Sequence, residues 1–299
     1  MGPFETYVRE KYTLTRSLAS TTEGHYIIAA KQMDKFLSSA RRKKLDVKAT
    51  TPDLLSQFVK WYESKVSSAN TVRTKRTILI AIVNHALEPE QRVINSKFVR
   101  LPKPQKTVKD SWSPEQVSIL VQVASAIPGV LSIGTTRGEY AACLISVAFE
   151  TAARRGDLTR ITTKDALSGR PFQFVQNKTQ HVTSFVVSAA TQDRIRQMSH
   201  VRKRSKFVFK PWGEYHLECI TRLASTAMKR AGLSASDGCL KKLRRSSITE
   251  AERLRPGTGY IQGGHTTPTV TVENYIDPSR AYQDMPRPSL PQIGDGNSN

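Results

Sequence analysis

Thr151-Ala152-Ala153-Arg154-Arg155-Gly156-Asp157-Leu158 follows the apolar run Tyr140 to Phe149, which reads as a helix. Arg154 therefore stands at a helix end, beside an apolar face and three residues before Asp157. Taken singly, an arginine there is a solvated side chain with a local ion pair. Four other places in the same half of the chain change that reading. Lys178 sits in QNKTQH, a turn between two strand-like stretches, and Lys241-Lys242-Leu243-Arg244-Arg245 is a basic helical run. Gly263-Gly264-His265 sets a histidine after a glycine turn, and Tyr275 follows it by ten residues. Each has an ordinary surface or packing explanation alone. Their order is what carries information.

The flanking patterns define the frame. Period-two alternation and β-branched residues predict short strands at 158–162, 172–175 and 182–187, and the spacing predicts a helix over 216–231. Before the linker, Tyr26, Ile27, Ala30, Met33, Phe36 and Leu37 recur at helical spacing within 22–40. Thr51-Pro52-Asp53 is a helix start, with Thr51 as N-cap, and a third helix covers 71–87 with Arg73, Lys75 and Arg76 near its beginning. That trio is expected to lie against a phosphate backbone. The stretch 100–111, RLPKPQKTVKDS, contains two prolines and the basic Lys103 and Lys106, and reads as an extended cationic linker. Ser113-Pro114-Glu115-Gln116 opens the next helix. The expected division is a helical DNA-binding domain at 1–104, a catalytic domain at 105–279 and a flexible tail at 280–299.

Composition narrows the partner. Lys and Arg number 46 against 25 Asp and Glu, a net charge of +21, so a polyanion is expected and nucleic acid leads. No stretch approaches the roughly 20 apolar residues of a spanning helix, and the opening residues lack the apolar core of a secretory signal. The expected compartment is the cytoplasm, in association with the nucleoid, or the interior of a host cell if the chain is virus-encoded. Cys143, Cys219 and Cys239 have no CxxC or zinc-ligand spacing, so no metal site is expected.

Arg154, Lys178, Lys241-x-x-Arg244, Gly264-His265 and Tyr275, in that order, resemble the signature of the tyrosine recombinases, the family of the phage-type integrases. Thr151, Arg154, Asp157 and Leu158 match its first box; Ala152 stands where glycine is usual, and Lys241 where histidine is commonest. The resemblance covers about half of the chain, with a softer likeness of SSANTVRTKRTIL to a core-binding domain. It implies a mainly α fold: a helical core-binding domain plus an α+β catalytic domain with a small antiparallel sheet, closing on duplex DNA as a C-shaped clamp. It also implies DNA cleavage and rejoining through a 3′-phosphotyrosyl intermediate, without metal, ATP or other cofactor.

Within that resemblance Tyr275 is the nucleophile, and Arg154 and Arg244 clamp the phosphate, since guanidinium stays charged and matches phosphate oxygens. Lys178 is the candidate general acid. His265 donates to a phosphate oxygen or helps in proton transfer, Lys241 assists, and Asp157 is expected to hold Arg154 in place. Arg73, Lys75, Arg76, Lys103, Lys106 and Arg245 are the expected DNA contacts. Expected partners are double-stranded DNA, a homotetramer on two sites and accessory DNA-bending proteins, with no membrane. Tyr282, Met285 and Leu290 are expected to anchor the tail on a neighbouring subunit. The alternatives are a type IB topoisomerase, which shares the pocket, and an inactive DNA-binding relative.

Overall fold

The computed structural model describes residues 1–42, 45–103, 109–177 and 179–284. The chain divides into two compact units, Met1–Thr107 and Val108–Asn299. Lys43, Lys44, Lys106, Lys178, Met285 and Leu290 lie outside the described residues. No helix among those described is long and apolar enough to cross a membrane.

In the first unit Thr51 caps as expected. Its Oγ1 accepts from Leu54 N at 3.2 Å, and Pro52, which has no N–H to lose, opens the helix Pro52–Glu63. This helix, with Ser20–Ser39 and Ala69–Leu87, buries Met33, Phe36, Leu37, Leu55, Phe58, Leu79 and Ile82 in one core. Burial of each such side chain contributes about 1.5–3 kcal/mol. Phe36, Phe58 and Trp61 meet with ring centroids within 6.0 Å, which fixes the two helices edge to face.

The cationic trio of the third helix behaves differently from expectation. Arg76 is buried and donates to the carbonyls of Ser96, Val99 and Arg100, so it holds the segment that follows the helix. Arg73 donates to Pro102 O at 2.8 Å, and Lys75 is buried with Nζ 3.4 Å from His25 O. The expected phosphate contacts at Lys75 and Arg76 are therefore corrected: positions 72, 75, 76 and 79 share the buried face of the helix, and their carbonyl partners lie within the unit. Lys103 is exposed.

In the second unit, Ser113 and Gln116 form a reciprocal capping box at the start of Pro114–Ser125. Thr136 and Glu139 do the same for Arg137–Thr151, which is buried on nearly every side and forms the centre of the larger core. One two-stranded antiparallel sheet is described, β1 (Phe172–Val175) with β2 (Val182–Phe185), Phe172 opposite Phe185. The strand expected at 158–162 does not form. Arg154 O accepts from both Asp157 N and Leu158 N, closing a helical turn at Arg155–Leu158, and Thr162 makes only an isolated bridge to Phe207. Cys143 and Cys239 are buried and all three cysteines are free thiols.

Residues 276–284 pack on their own unit. Asp277 accepts from the backbone and hydroxyl of Ser111 and of Ser279, and Arg280 reaches Glu250 and Trp112 O. Tyr282 lies against Ala152, Ile248, Ile276 and Ala281. Its ring thus packs within its own chain.

Candidate active site

The central helix ends because Ala152 turns left-handed, φ 47° and ψ 21°. Ala153 N is then caught by Thr151 Oγ1 at 3.2 Å, and Arg154 takes extended dihedrals before the next helical turn. Its side chain leaves the backbone at that break and donates from Nη1 to the Gln176 carboxamide oxygen. Asp157 does not bond to Arg154. Its buried carboxylate accepts from Asn177 N at 3.0 Å, so it holds the hairpin turn beside Arg154 rather than the guanidinium itself. The expected role of Asp157 is corrected accordingly: one helical turn separates the two residues, but the carboxylate points toward the β1–β2 turn.

The basic run on the helix Cys239–Leu254 is sorted by burial and partner. Lys241 is exposed and paired with Asp237 at 3.1 Å. Lys242 is buried over the Trp112 ring, with Nζ bonded to Asp110 and Ser234 O. Arg245, expected to face DNA, is buried between Asp110 and Asp237, so its charge is spent inside the unit. Arg244 alone of the four has no carboxylate partner among the described residues. It donates to Ala152 O, to Gly263 O at 2.5 Å and to His265 Nε2 at 3.0 Å. Its Nε is buried without an acceptor among the described residues. Burial lowers its pKa to about 10, which still leaves it charged at neutral pH.

Gly264 is left-handed, φ 57°, a conformation that strains a larger residue, and a Cβ there would lie 2.1 Å from Gln176 Nε2 and have to displace that amide. The turn delivers His265 into the pocket. An arginine N–H can only donate, so His265 Nε2 accepts from Arg244 and Nδ1 carries the proton, donated to Thr271 Oγ1 at 2.6 Å. Burial first, and then the positive charges of Arg244 and Arg154, lower the His265 pKa to about 4, so the ring is neutral at neutral pH. In this arrangement both ring nitrogens are occupied within the chain, Nε2 as an acceptor and Nδ1 as a donor.

Tyr275 closes the site. It caps the helix Pro268–Asn274, its N–H donates to Thr271 O at 2.8 Å, and its carbonyl accepts from Thr249 Oγ1 at 3.3 Å. Buried Ile276 and Asp277 fix the chain immediately after it. Its ring lies 4.6 Å from the His265 ring and 5.1 Å from the Arg244 guanidinium. Tyr282, the alternative hydroxyl nearby, has its pKa raised by burial, the wrong direction for a nucleophile.

Arg154, Arg244, His265 and Tyr275 are thus brought together, Lys241 is turned outward, and Lys178 lies outside the described residues. Gln176 and Thr271 belong to the same network and had no signal in the sequence beyond their proximity to Lys178 and Tyr275. Among the described residues no group of His, Cys, Asp or Glu could hold a metal ion.

Neither a protein-family model nor a curated protein matches the chain. Solved structures do. The chain is similar to lambda integrase (residues 75–356) in a dimer bound to a COC′ core site, with 16% identity, a TM-score of 0.69 and 95% and 96% of the two chains covered. It is similar to XerH site-specific recombinase bound to a palindromic difH substrate in a post-cleavage complex, with 13% identity, a TM-score of 0.69 and 93% and 83% covered. The Tn1549 transposon integrase in complex with transposon right-end DNA gives 14% identity, a TM-score of 0.65 and 91% and 94% covered. The fold of this chain is that of the tyrosine recombinases.

Proposed function

We propose that this protein is a site-specific DNA recombinase of the integrase type, which breaks and rejoins strands through Tyr275. The observation that carries the reading is Arg244: a buried guanidinium whose Nε–H has no acceptor among the described residues, beside a tyrosine ring and near a second arginine. A buried donor left unmade costs about 1–3 kcal/mol, more when charged. A phosphate oxygen in the pocket would satisfy it.

The chemistry follows from the groups. The Tyr275 oxygen attacks phosphorus as its proton passes to solvent, and the P–O5′ bond breaks. Arg154 and Arg244 hold the non-bridging oxygens, whose charge is greatest in the transition state. The departing 5′-oxygen takes a proton from Lys178, the candidate general acid. Reversal by a free 5′-hydroxyl rejoins the strand, so the bond energy is kept and no ATP is spent. Neutral His265 orients Arg244 and backs the Tyr275 ring; Lys241 would assist after leaving Asp237.

Duplex DNA is the partner that fits a net charge of +21 and a fold whose solved relatives are described on DNA. A lambda integrase tetramer is described bound to a Holliday junction, with 17% identity, a TM-score of 0.70 and 92% and 77% of the chains covered. We place this chain likewise in an assembly of copies on two sites.

The test begins by sequencing genomic fragments bound by Tyr275→Phe to recover a site. A nicked duplex carrying that site is then incubated with wild type in excess EDTA. A covalent protein–DNA adduct is expected from wild type and none from Tyr275→Phe, which still binds. An adduct from Tyr275→Phe at the normal rate sinks the assignment.

A further inference from the structure

Gln176 is buried, 1% exposed, at the end of β1 and has no assigned part in the chemistry above. Its carboxamide oxygen uses both lone pairs, accepting from Arg154 Nη1 and from Thr179 Oγ1 at 2.9 Å. Its amide nitrogen donates to Gly263 O at 3.4 Å, and Arg244 Nη2 donates to that same carbonyl at 2.5 Å. One side chain therefore spans the gap between the two arginines, directly to Arg154 and through one shared acceptor to Arg244. Gly264 admits the crossing, since any Cβ there would occupy the position of the Gln176 amide.

We propose that Gln176 is a positioning residue that sets the separation and aim of Arg154 and Arg244; this rests on the recombinase reading of the site. A neutral amide suits the task. A carboxylate could accept from Arg154 equally well, but it would neutralise the charge that the phosphate needs and would lose the donor to Gly263 O. The turn is held from a second side by Asp157, through Asn177 N, so Gln176 does not act as the hairpin's sole fixing. Its removal would leave the hairpin paired through Gln176 N and His181 O, which are backbone atoms. The loss expected is one of alignment. Misplacement of a catalytic group by about 1 Å can cost on the order of 100-fold.

The test uses single-turnover cleavage of the same nicked duplex by the full chain, with DNA affinity and unfolding temperature measured alongside. Gln176→Ala is expected to lower cleavage by about 10- to 100-fold while DNA affinity stays within about twofold. In an Arg154→Ala background the same substitution should lower cleavage by less than about threefold, because the direct contact is gone and only the indirect one to Arg244, through Gly263 O, remains. Gln176→Glu, close to isosteric, covers the case in which Gln176→Ala does not fold: it should melt near wild type and cleave at least about tenfold more slowly. A fully active Gln176→Ala or Gln176→Glu overturns the inference, as does an equal loss in both Arg154 backgrounds. A wild-type protein without a Tyr275-dependent adduct refutes the recombinase reading itself, and the positioning role with it; an active wild type with active variants refutes only the latter.

Discussion

Arg76 and Arg244 are both buried arginines on apolar-faced helices, one in each unit, and their hydrogen bonds differ in kind. Arg76 spends Nε and Nη2 on three backbone carbonyls of a neighbouring segment. Arg244 leaves Nε without an acceptor among the described residues, shares Nη2 between a carbonyl and a histidine, and faces the ring of Tyr275. A buried cation whose donors are used up is a structural fastening. One left incomplete beside a tyrosine ring is the arrangement from which the proposed phosphate clamp is argued. Sequence composition cannot separate the two, because both are arginines at the apolar edge of a helix.

The largest effects should divide along that line. Arg244→Ala is expected to lower cleavage by about 100- to 1000-fold, the scale for one preorganised donor at a developing charge. Arg76→Ala strands three carbonyls and should cost about 2–4 kcal/mol of stability by urea unfolding of the full chain, while cleavage per folded molecule changes far less. An Arg76→Ala protein that stays as stable as wild type but loses cleavage would reverse the comparison.

His265 gives a second, smaller separation. Its folded pKa is lowered to about 4 from an ordinary value near 6.5, so the unfolded chain binds the proton more readily. Its contribution is therefore fully present above about pH 6.5 and is lost as pH falls toward 4, at no more than about 1.4 kcal/mol per pH unit. His200 and His216 are also lowered by burial, so the measurement is a difference. The stability drop from pH 7 to pH 5 should be smaller in His265→Gln than in wild type. Equal drops would mean that the imidazole titrates alike in the folded and the unfolded chain.

Much of the frame was legible because it is written locally. Thr51 and Ser113 cap their helices through atoms two or three residues away, and the apolar spacing of 22–40 follows one helix face. The order of Arg154, Arg244, His265 and Tyr275 was legible as a resemblance, and the fold brings these four together. What could not be read was which cations are spent internally. Lys242 and Arg245 meet Asp110 across 132 and 135 residues, a pairing that no local pattern encodes. The strand expected at 158–162 fails for a local reason instead: β-branched residues favour extension, but two N–H groups accepted by Arg154 O close the turn first. Gln176 was invisible because its importance lies in three partners drawn from separate segments.

The smallest effect concerns Ala152, which stands where glycine is usual in the resemblance. Its left-handed backbone costs roughly 1–2 kcal/mol that glycine would avoid. Against this, its methyl is fully buried with Ile248 and Ile276, worth about 0.8 kcal/mol, and alanine also restricts the unfolded chain by about 0.4–1 kcal/mol relative to glycine. The opposing terms nearly cancel. Ala152→Gly should therefore change stability by less than about 1 kcal/mol, and since Arg244 bonds to the backbone carbonyl at 152, cleavage should stay close to wild type. A gain of more than about 1.5 kcal/mol in urea unfolding would mean that strain outweighs the packed methyl. A loss of that size would mean that the methyl, rather than the backbone turn, holds Ile248 and Ile276 against the Tyr275 segment.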